Sequence, residues 1–258
     1  MKLVAFVSGM RAYIKKMGFL TIWFLVISHE MQAQQTIIQY LSGTDKDHTV
    51  PWDFMCTTGR NSGKWSKIPV PSRWEMQGFG TYNYYEDKIN PEEKGLYKYH
   101  FAIAPQYKNK KIFIVFAASM TDTKVSVNGK PAGPIHQGGF YEFKYDITGL
   151  VRFDKTNLLE VTVSKESENP SINKAERQAD FWLFGGIFRP VYLEIVPETF
   201  IERVAIDAQV NGDFNMLVFN NAGATPTIKA DVYDSKVNAD DKPFLLTVKG
   251  SMLHHPFT

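Results

Sequence analysis

The chain has 258 residues, of which 44% are apolar and 22% are charged, and its formal net charge is +2. An apolar share of this size supports a buried core and excludes a wholly disordered chain. The positive balance comes from residues 1–33, where four basic residues oppose a single acidic residue. The remaining sequence is slightly acidic and has no basic run, so we expect no nucleic-acid partner.

Residues 1–33 have the organisation of a signal peptide. A basic stretch, RAYIKKM, precedes the eleven-residue apolar run GFLTIWFLVIS, and Ala33 offers a small residue at a cleavage position. The run is shorter than the roughly 20 residues that a membrane-spanning helix needs. We therefore predict an exported protein, periplasmic or secreted, that does not span the membrane. A buried N-terminal helix is the alternative interpretation.

Cys56 is the only cysteine of the chain. No intramolecular disulfide can form, and the surrounding sequence WDFMCTTG places no base beside the thiol. We therefore expect a buried and chemically inert side chain.

The segment WEMQGFGTYNYYEDKINP, residues 74–91, concentrates aromatic side chains among turn-forming residues. One helical turn is predicted at its start. Aromatic faces can stack on the C–H faces of sugars, and an amide such as that of Asn83 can bind hydroxyl groups. The same rings could instead cover the core, and the residues alone leave both interpretations open.

From Leu96 onward the apolar residues recur with period two, which predicts β-strands. The predicted strands cover residues 96–104, 110–118, 122–129, 139–148, 157–164 and 188–196. Asn128 and Gly129 supply the two residues of a type I′ hairpin turn. Because no segment sustains a helical period, the pattern predicts an all-β sandwich and disfavours an alternating α/β fold.

The segment DFWLFGGIFRPVYLEI, residues 180–195, joins a bend to an alternating strand. Gly185 and Gly186 allow backbone angles or close packing that a Cβ atom would hinder. Pro190 lacks an amide hydrogen, which predicts that the strand lies at a sheet edge or begins at this point. We expect three aromatic residues to anchor the bend against the sandwich: Phe181, Trp182 and Phe184.

Four further strands are predicted at residues 200–210, 213–223, 226–235 and 242–250. They resemble the first half of an immunoglobulin-like sandwich, which usually takes about 100 residues. The sequence therefore predicts an incomplete immunoglobulin-like β-sandwich over residues 199–258.

Short motifs identify no active site. Paired acids lie in loops where solvated turn residues are the expected interpretation: Asp45/Asp47, Glu86/Asp87, Glu92/Glu93 and Asp240/Asp241. His254 and His255 lack a third ligand at useful spacing for a metal site. The sequence contains no G-x-S-x-G, no H-E-x-x-H and no phosphate-binding glycine loop.

Several segments, in this order and at this spacing, resemble the N-terminal part of glycoside hydrolase family 2, the β-galactosidase family. They are IPVPSRWEMQGFGTYNY, GLYKYHF, VSVNGK, YDITGLV, NLLEVTV and, above all, DFWLFGGIFRPVYL. The resemblance extends from Leu41 to Pro197. It implies a galactose-binding-like jelly-roll β-sandwich over residues 34–198, followed by the start of the family's immunoglobulin-like domain.

The resemblance also implies roles for single residues. Asp180 matches the acid of the family's D-x-W segment, which contacts galactose and a nearby monovalent cation. Asn83 matches a sugar-contacting asparagine that follows W-x-M-x-G, and Trp182 is the third predicted substrate-binding residue. Family members use a monovalent cation or magnesium, but we expect no cofactor to be held by this chain alone. Glucuronidase and mannosidase specificities occur in the family as well.

Family members continue into a (β/α)₈ barrel that carries both catalytic glutamates of a retaining mechanism. This sequence stops before such a barrel, so we expect no catalytic residue in it and no hydrolysis by the chain alone. The leading hypothesis is the non-catalytic N-terminal part of a secreted β-galactosidase-like enzyme, with carbohydrate and a catalytic barrel domain as partners. The alternatives are a stand-alone carbohydrate-binding or surface adhesion module and a gene remnant.

Overall fold

The computed structural model of the chain describes residues 36–85, 87–178, 180–208, 214–221, 228–232 and 244–248. The predicted signal peptide lies outside these residues. In chain order the strands are β1 (Ile37–Tyr40), β2 (Val50–Cys56), β3 (Ser66–Val70), β4 (Asn83–Tyr84), β5 (Lys94–Phe101), β6 (Lys110–Phe116), β7 (Asp122–Val127), β8 (Lys130–Pro131), β9 (Phe143–Asp146), β10 (Asn157–Ser164), β11 (Trp182–Leu183), β12 (Val191–Pro197), β13 (Ile201–Ala208), β14 (Phe214–Asn220), β15 (Ile228–Val232) and β16 (Phe244–Val248).

Two antiparallel sheets form a sandwich. One has four strands in the order β1-β12-β6-β9, and the other has six in the order β3-β2-β5-β10-β7-β8. Buried apolar residues of both sheets pack into one core cluster. The all-β sandwich predicted from the sequence is therefore confirmed.

Strand β10 illustrates how the sequence pattern produces this core. Its residues alternate between buried and half-buried positions along NLLEVTVS. It is a central strand, pairing on one side with β5, from Asn157 opposite Phe101 to Ser164 opposite Lys94, and on the other side with β7. Because successive side chains of a strand point to opposite faces, the alternation turns one side of β10 into the core.

Aromatic rings fill one part of the core. The ring of Phe54 lies 4.8 Å from that of Tyr97 and 6.3 Å from that of Trp74, measured between centroids. Trp52 meets Tyr97 edge-on at 6.5 Å. Trp52, Phe54, Trp74 and Tyr97 are all buried. Trp74 thus belongs to the core, which agrees with the interpretation that the rings of residues 74–91 cover the core.

Short helices connect some of the strands. Two are 3₁₀ helices, at Glu75–Gln77 and Pro105–Tyr107, and the first is the helical turn predicted from the sequence. The α-helix α1 (Pro170–Glu176) was not predicted. It has Pro170 in its first turn, and the side chain of Asn169 accepts a hydrogen bond from the amide of Ser171, which is a regular start of a helix.

The predicted strands and turns agree with the structure. Each of the six strands predicted between residues 96 and 196 overlaps an observed one. Asn128 and Gly129 have φ angles of 53° and 78°, as the type I′ turn requires. Pro190 immediately precedes β12, so the strand begins there as predicted. The edge alternative is wrong, because β12 lies between β1 and β6.

The second strand series forms two antiparallel pairs at the predicted positions. Strand β13 pairs with β14, and β15 pairs with β16. Near the start of the series, the amide of Phe200 donates a hydrogen bond of 2.9 Å to the side chain of Asn221. The ring of Phe200 lies 5.7 Å from that of Phe113 in β6, so this segment packs on the four-stranded sheet.

Cys56 is buried, and burial raises the pKa of its thiol to about 11. The predicted burial of Cys56 is therefore confirmed, and the raised thiol pKa agrees with the predicted inertness, because only the thiolate is an effective nucleophile. Within the part of the chain that the structure describes, no helix combines the length and apolar character needed to cross a bilayer.

Candidate functional site

A two-stranded ribbon, formed by β4 and β11, brings together the residues predicted to bind substrate. Trp182 pairs with Tyr84, and Leu183 pairs with Asn83, although the two strands are far apart in the sequence. Asp180 lies two positions before Trp182. Since paired residues share a face and neighbours alternate, Tyr84 and Trp182 lie on one face and Asn83 and Leu183 on the other.

The first face of the ribbon is exposed and aromatic. Trp182 is 51% exposed and Tyr84 is 41% exposed, with their ring centroids 5.1 Å apart. Tyr82 stands nearly perpendicular to Trp182 at 5.8 Å, and the guanidinium of Arg60 covers the Tyr82 ring at 4.5 Å. We call Tyr82, Tyr84 and Trp182 the aromatic face. Exposed rings of this kind are suited to stacking against the C–H face of a sugar.

The carboxylate of Asp180 lies beside the aromatic face and is exposed. The hydroxyl of Tyr84 donates a hydrogen bond to Asp180 Oδ1, and this bond raises the pKa of Tyr84. The amide of Tyr84 in turn donates to the carboxylate of Asp87 at 2.8 Å. Asp180 is therefore held against the ring of Tyr84, where its carboxylate can accept hydrogen bonds from sugar hydroxyl groups.

Asn83 lies on the opposite face of the ribbon and is only 6% exposed. Its Oδ1 accepts a hydrogen bond of 2.8 Å from Nζ of Lys165, and its Nδ2 donates to the carbonyl of Lys88 at 3.3 Å. The structure therefore gives Asn83 a role in fixing the ribbon to the sandwich. Its contact with a sugar stays a prediction from the family resemblance.

A buried ion cluster lies beneath the ribbon. Lys165 is 0% exposed, and its ammonium contacts Oε1 of Glu75 at 2.8 Å and Oε1 of Glu93 at 3.2 Å. The carbonyl of Thr81 accepts a further hydrogen bond from the same ammonium. Burial raises the pKa of Glu75, and the neighbouring Lys165 opposes that rise. Buried charges are tolerated when they are paired and hydrogen-bonded in this way.

The two carboxylates of the cluster extend it into both loops of the site. Both oxygens of Glu75 accept a hydrogen bond from the amide of Gly185 at 3.1 Å. Oε1 of Glu93 accepts bonds from the indole of Trp74 at 3.1 Å and from the amide of Thr81 at 3.2 Å. The cluster therefore ties the bend after Trp182 to the loop before Asn83, and gives the ribbon a rigid base.

Gly185 and Gly186 serve the two purposes expected from the sequence. A Cβ atom on Gly185 would lie 2.7 Å from Cε2 of Trp74 and still closer to two other atoms of that ring. Gly186 has a φ of 126°, and a Cβ there would meet the carbonyl oxygen of Ser72 at 2.7 Å. Close packing explains the first glycine, and an unusual backbone angle explains the second.

The anchors of the bend differ from the prediction. Phe181 and Trp182 are exposed, and Phe184 is half-buried, so these three rings do not fasten the bend to the core. Leu183 and Ile187 are buried and do so instead. The expectation was wrong for Trp182 because side chains alternate along the short strand β11, which buries Leu183 and places Trp182 on the solvent side.

The ion cluster escaped the sequence analysis, although the sequence contains a signal for one member. Asn157, Leu159, Val161 and Val163 occupy the buried positions of β10, and Lys165 falls on the next position of the same alternation. A lysine in that register is an exception to the usual exposure of charged residues, which indicates a buried partner.

Asp180 supplies only part of what a cation would need. One of its carboxylate oxygens already accepts the bond from Tyr84, and no group of three His, Cys, Asp or Glu side chains suited to a metal occurs within the described ranges. Sodium- or magnesium-type ions prefer several oxygen ligands. The described residues alone therefore do not fit the cation that the resemblance implied, and we derive no step from it.

Comparison with known proteins identifies a matching family and its members. Residues 60–197 match the family described as "Glycosyl hydrolases family 2, sugar binding domain". A β-galactosidase of Thermoanaerobacter pseudethanolicus is 38% identical over 109 residues, 42% of this chain and 14% of that protein. A β-galactosidase of Clostridium acetobutylicum is 33% identical over 168 residues, 59% of this chain and 18% of that protein. The chain thus spans less than a fifth of the length of these relatives.

A solved structure shares the fold. The β-glucuronidase of Faecalibacterium prausnitzii superposes with a TM-score of 0.58 at 21% sequence identity, covering 85% of this chain and 42% of that one. At this identity the likeness extends to the fold alone. The matched family region ends at residue 197, the last residue of β12, and contains the ribbon, Asp180 and the ion cluster.

Proposed function

Since the chain belongs to the sugar-binding domain family of the family 2 glycosyl hydrolases, we propose that it serves as the N-terminal carbohydrate-binding part of a secreted, β-galactosidase-like enzyme. In this role the chain binds the glycan substrate and contributes residues to the pocket, while the remainder of a longer protein supplies the catalytic carboxylates. The region from residue 34 to 198 acts as the binding domain.

One observation carries this proposal. The exposed carboxylate of Asp180 is held by Tyr84 directly beside the exposed ring of Trp182. Sugar sites combine an aromatic surface, which packs on C–H groups, with a few oriented polar groups, which bind hydroxyls. A rigid base beneath both groups favours binding, because little conformational entropy is then lost when the ligand arrives.

The proposal has further parts that rest on the sequence. Export to the periplasm or the medium follows from the signal-like residues 1–33. Galactoside specificity follows from the named activity of the two sequence relatives described above, whereas the fold relative is a β-glucuronidase. A monovalent cation at Asp180 would take its other ligands from outside the described residues.

Substitution of Asp180 tests the proposal. The assay uses the longer protein that includes the proposed catalytic barrel downstream of this chain. In it, Asp180→Asn should raise KM for an aryl β-galactoside at least about tenfold, because the neutral amide loses charge-assisted hydrogen bonds to the sugar. The melting temperature should stay within about 1 °C, since an exposed surface substitution has little effect on stability. Asp154→Asn, another exposed aspartate in a loop outside the ribbon, is the matched control.

Two results would contradict the proposal. If the downstream reading frame encodes no barrel with two catalytic glutamates, the chain is not part of such an enzyme. If the Asp180→Asn enzyme has the same KM as the Asp154→Asn control, the ribbon does not bind the substrate. Aryl β-glucuronide, assayed in parallel, tests the galactoside assignment: a higher kcat/KM for the glucuronide would overturn it.

A stand-alone carbohydrate-binding or adhesion module is the second candidate function. The aromatic face favours it, because this face is built wholly from residues of the chain. Isothermal titration of the 258-residue chain with galactosides separates the two functions. Binding by the isolated chain that is lost in Trp182→Ala, together with the absence of a downstream barrel, would support the module; no heat at millimolar sugar would exclude it.

A further inference from the structure

A concave surface lies on the opposite side of the ribbon from the aromatic face. It is a groove of about 720 Å³, and Leu183, Tyr85 and Arg177 are among its lining residues. This volume is within the ~300–1,000 Å³ that is usual for small-molecule sites. Since Leu183 and Trp182 are neighbours in β11, their side chains point to opposite faces, so the groove and the aromatic face are separate surfaces.

Arg177 gives the groove unused hydrogen-bonding capacity. Its side chain is 4% exposed, and Nη2 donates to the carbonyls of Lys165 at 2.6 Å and Phe184 at 3.0 Å. Nε and Nη1 have no hydrogen-bond partner among the described residues. A buried donor without an acceptor is costly, so an acceptor brought by a ligand is favoured at this position.

The charges that line the groove favour a neutral ligand. Lys88 and Arg177 are cationic, and Asp87 and Glu166 are anionic, so these side chains balance each other. Glu75, Glu176 and Glu166 also act on Arg177 electrostatically. Hydrogen-bond donors and acceptors of both kinds are suited to hydroxyl groups, which both donate and accept.

Apolar and aromatic groups complete the lining. The ring of Tyr85 is 43% exposed at the groove, and the buried side chains of Ile89 and Leu183 line its base. A saccharide presents C–H patches between its hydroxyl groups, so it needs this combination of an exposed ring, apolar contacts and mixed polar groups. A nucleotide would need a net positive lining for its phosphates, whereas the charges of the described lining residues balance.

We propose that the groove lined by Tyr85, Lys88 and Arg177 is an accessory binding site for a neutral saccharide, separate from the aromatic face. It goes beyond the proposed function, because binding here requires neither hydrolysis nor Asp180. In a longer glycan it would hold sugar units other than those on the aromatic face.

Titration of the 258-residue chain with β-1,4-galactotetraose, followed by calorimetry and by amide chemical shifts, tests the proposal. Tyr85→Ala and Lys88→Ala should each weaken binding, Tyr85→Ala by about tenfold or more, because each removes an exposed contact without touching the core. Tyr40→Ala is the matched control, since Tyr40 is 49% exposed on β1, outside the groove. It should bind as the unsubstituted chain does.

Every other outcome overturns the proposal. One such outcome is that the chain shows no binding at millimolar tetrasaccharide. Another is that Tyr85→Ala and Lys88→Ala both bind the tetrasaccharide with the affinity of the unsubstituted chain. A loss confined to Trp182→Ala would place the sugar on the aromatic face, which leaves the proposed function intact while removing the groove site. Tetragalacturonate that binds about tenfold more tightly than galactotetraose would contradict the neutral-ligand argument.

Discussion

Replacement of Lys165 by methionine tests the physical basis of the candidate site. Methionine has a similar length and fills the same volume, so the change removes the charge and leaves the packing nearly intact. Glu75 and Glu93 would then remain buried without the ammonium that contacts them at 2.8 and 3.2 Å. Asn83 would lose the donor that holds its Oδ1 at 2.8 Å.

The expected cost is large because burial is complete. Removing one partner of a buried ion pair typically destabilises a protein by about 3–5 kcal/mol. For a domain of about 150–250 residues, 1 kcal/mol lowers the melting temperature by about 2–4 °C, so a decrease of roughly 6–20 °C is expected. The loss should also be smaller at low pH. Burial raises the folded-state pKa of Glu75, so at low pH this carboxyl is protonated and carries no buried charge. The contribution of Glu75 to the free energy of unfolding is therefore retained at low pH and is lost as the pH rises through the raised pKa.

Urea denaturation and thermal melts of the 258-residue chain, followed by circular dichroism, provide the measurement. Lys144→Met is the matched control, because Lys144 contacts Glu194 at the same 2.8 Å while 41% of its side chain is exposed. An exposed pair contributes about 0–1 kcal/mol. The difference between the two variants therefore isolates the effect of burial.

A Lys165→Met protein no less stable than Lys144→Met would refute the reasoning. So would a loss of stability, relative to the unsubstituted chain, that grows on acidification. The double variant Glu75→Gln/Lys165→Met should recover part of the loss, because replacing a buried charge by a neutral group removes the uncompensated charge. A double variant less stable than Lys165→Met would show that the carboxylate acts independently of the lysine.

Two further predictions concern the bend and an exposed loop. Gly185→Ala should destabilise the chain by about 1–3 kcal/mol in urea titrations, because its Cβ would overlap the Trp74 ring; Gly149→Ala, where a Cβ meets no atom within 4 Å, is the control, and equal effects would contradict the packing argument. The hydrogen bond from His48 to Asp45 raises the pKa of His48, so the stability it contributes is present below the usual histidine value and is lost as the pH rises through the raised pKa. Proton NMR titration should place the His48 midpoint above 6.5, and Asp45→Asn should return it toward 6.5; an unchanged midpoint would exclude the pair as the cause.

Regular strands and turns were predictable because their signals are local. Period-two alternation in β10 and the pair Asn128 and Gly129 depend only on neighbouring residues, and both agree with the structure. Gly185 was recognisable as a position without room for a side chain. The identity of the crowding group, Trp74, was not predictable, because that contact joins residues far apart in the sequence.

The base of the site was not predictable from local patterns. Lys165 meets Glu75 and Glu93 only after the six-stranded sheet and its loops have formed. Ion pairing between distant residues leaves no periodic signature, and Glu93 was assigned with Glu92 to a solvated turn. The structure corrects that interpretation for Glu93, which is 0% exposed.

The ion cluster explains how the four residues of the ribbon can hold the candidate binding residues in one arrangement. Strands β4 and β11 contain two residues each, and so short a pair has little stability of its own. Apolar packing beneath it would be non-directional and would permit several positions of the loops. Hydrogen bonds from Lys165 to Asn83 and from Gly185 to Glu75 instead fix both loops in one arrangement. We infer that the buried charges are retained for this specificity, and that Asp180 and Trp182 owe their orientation to it.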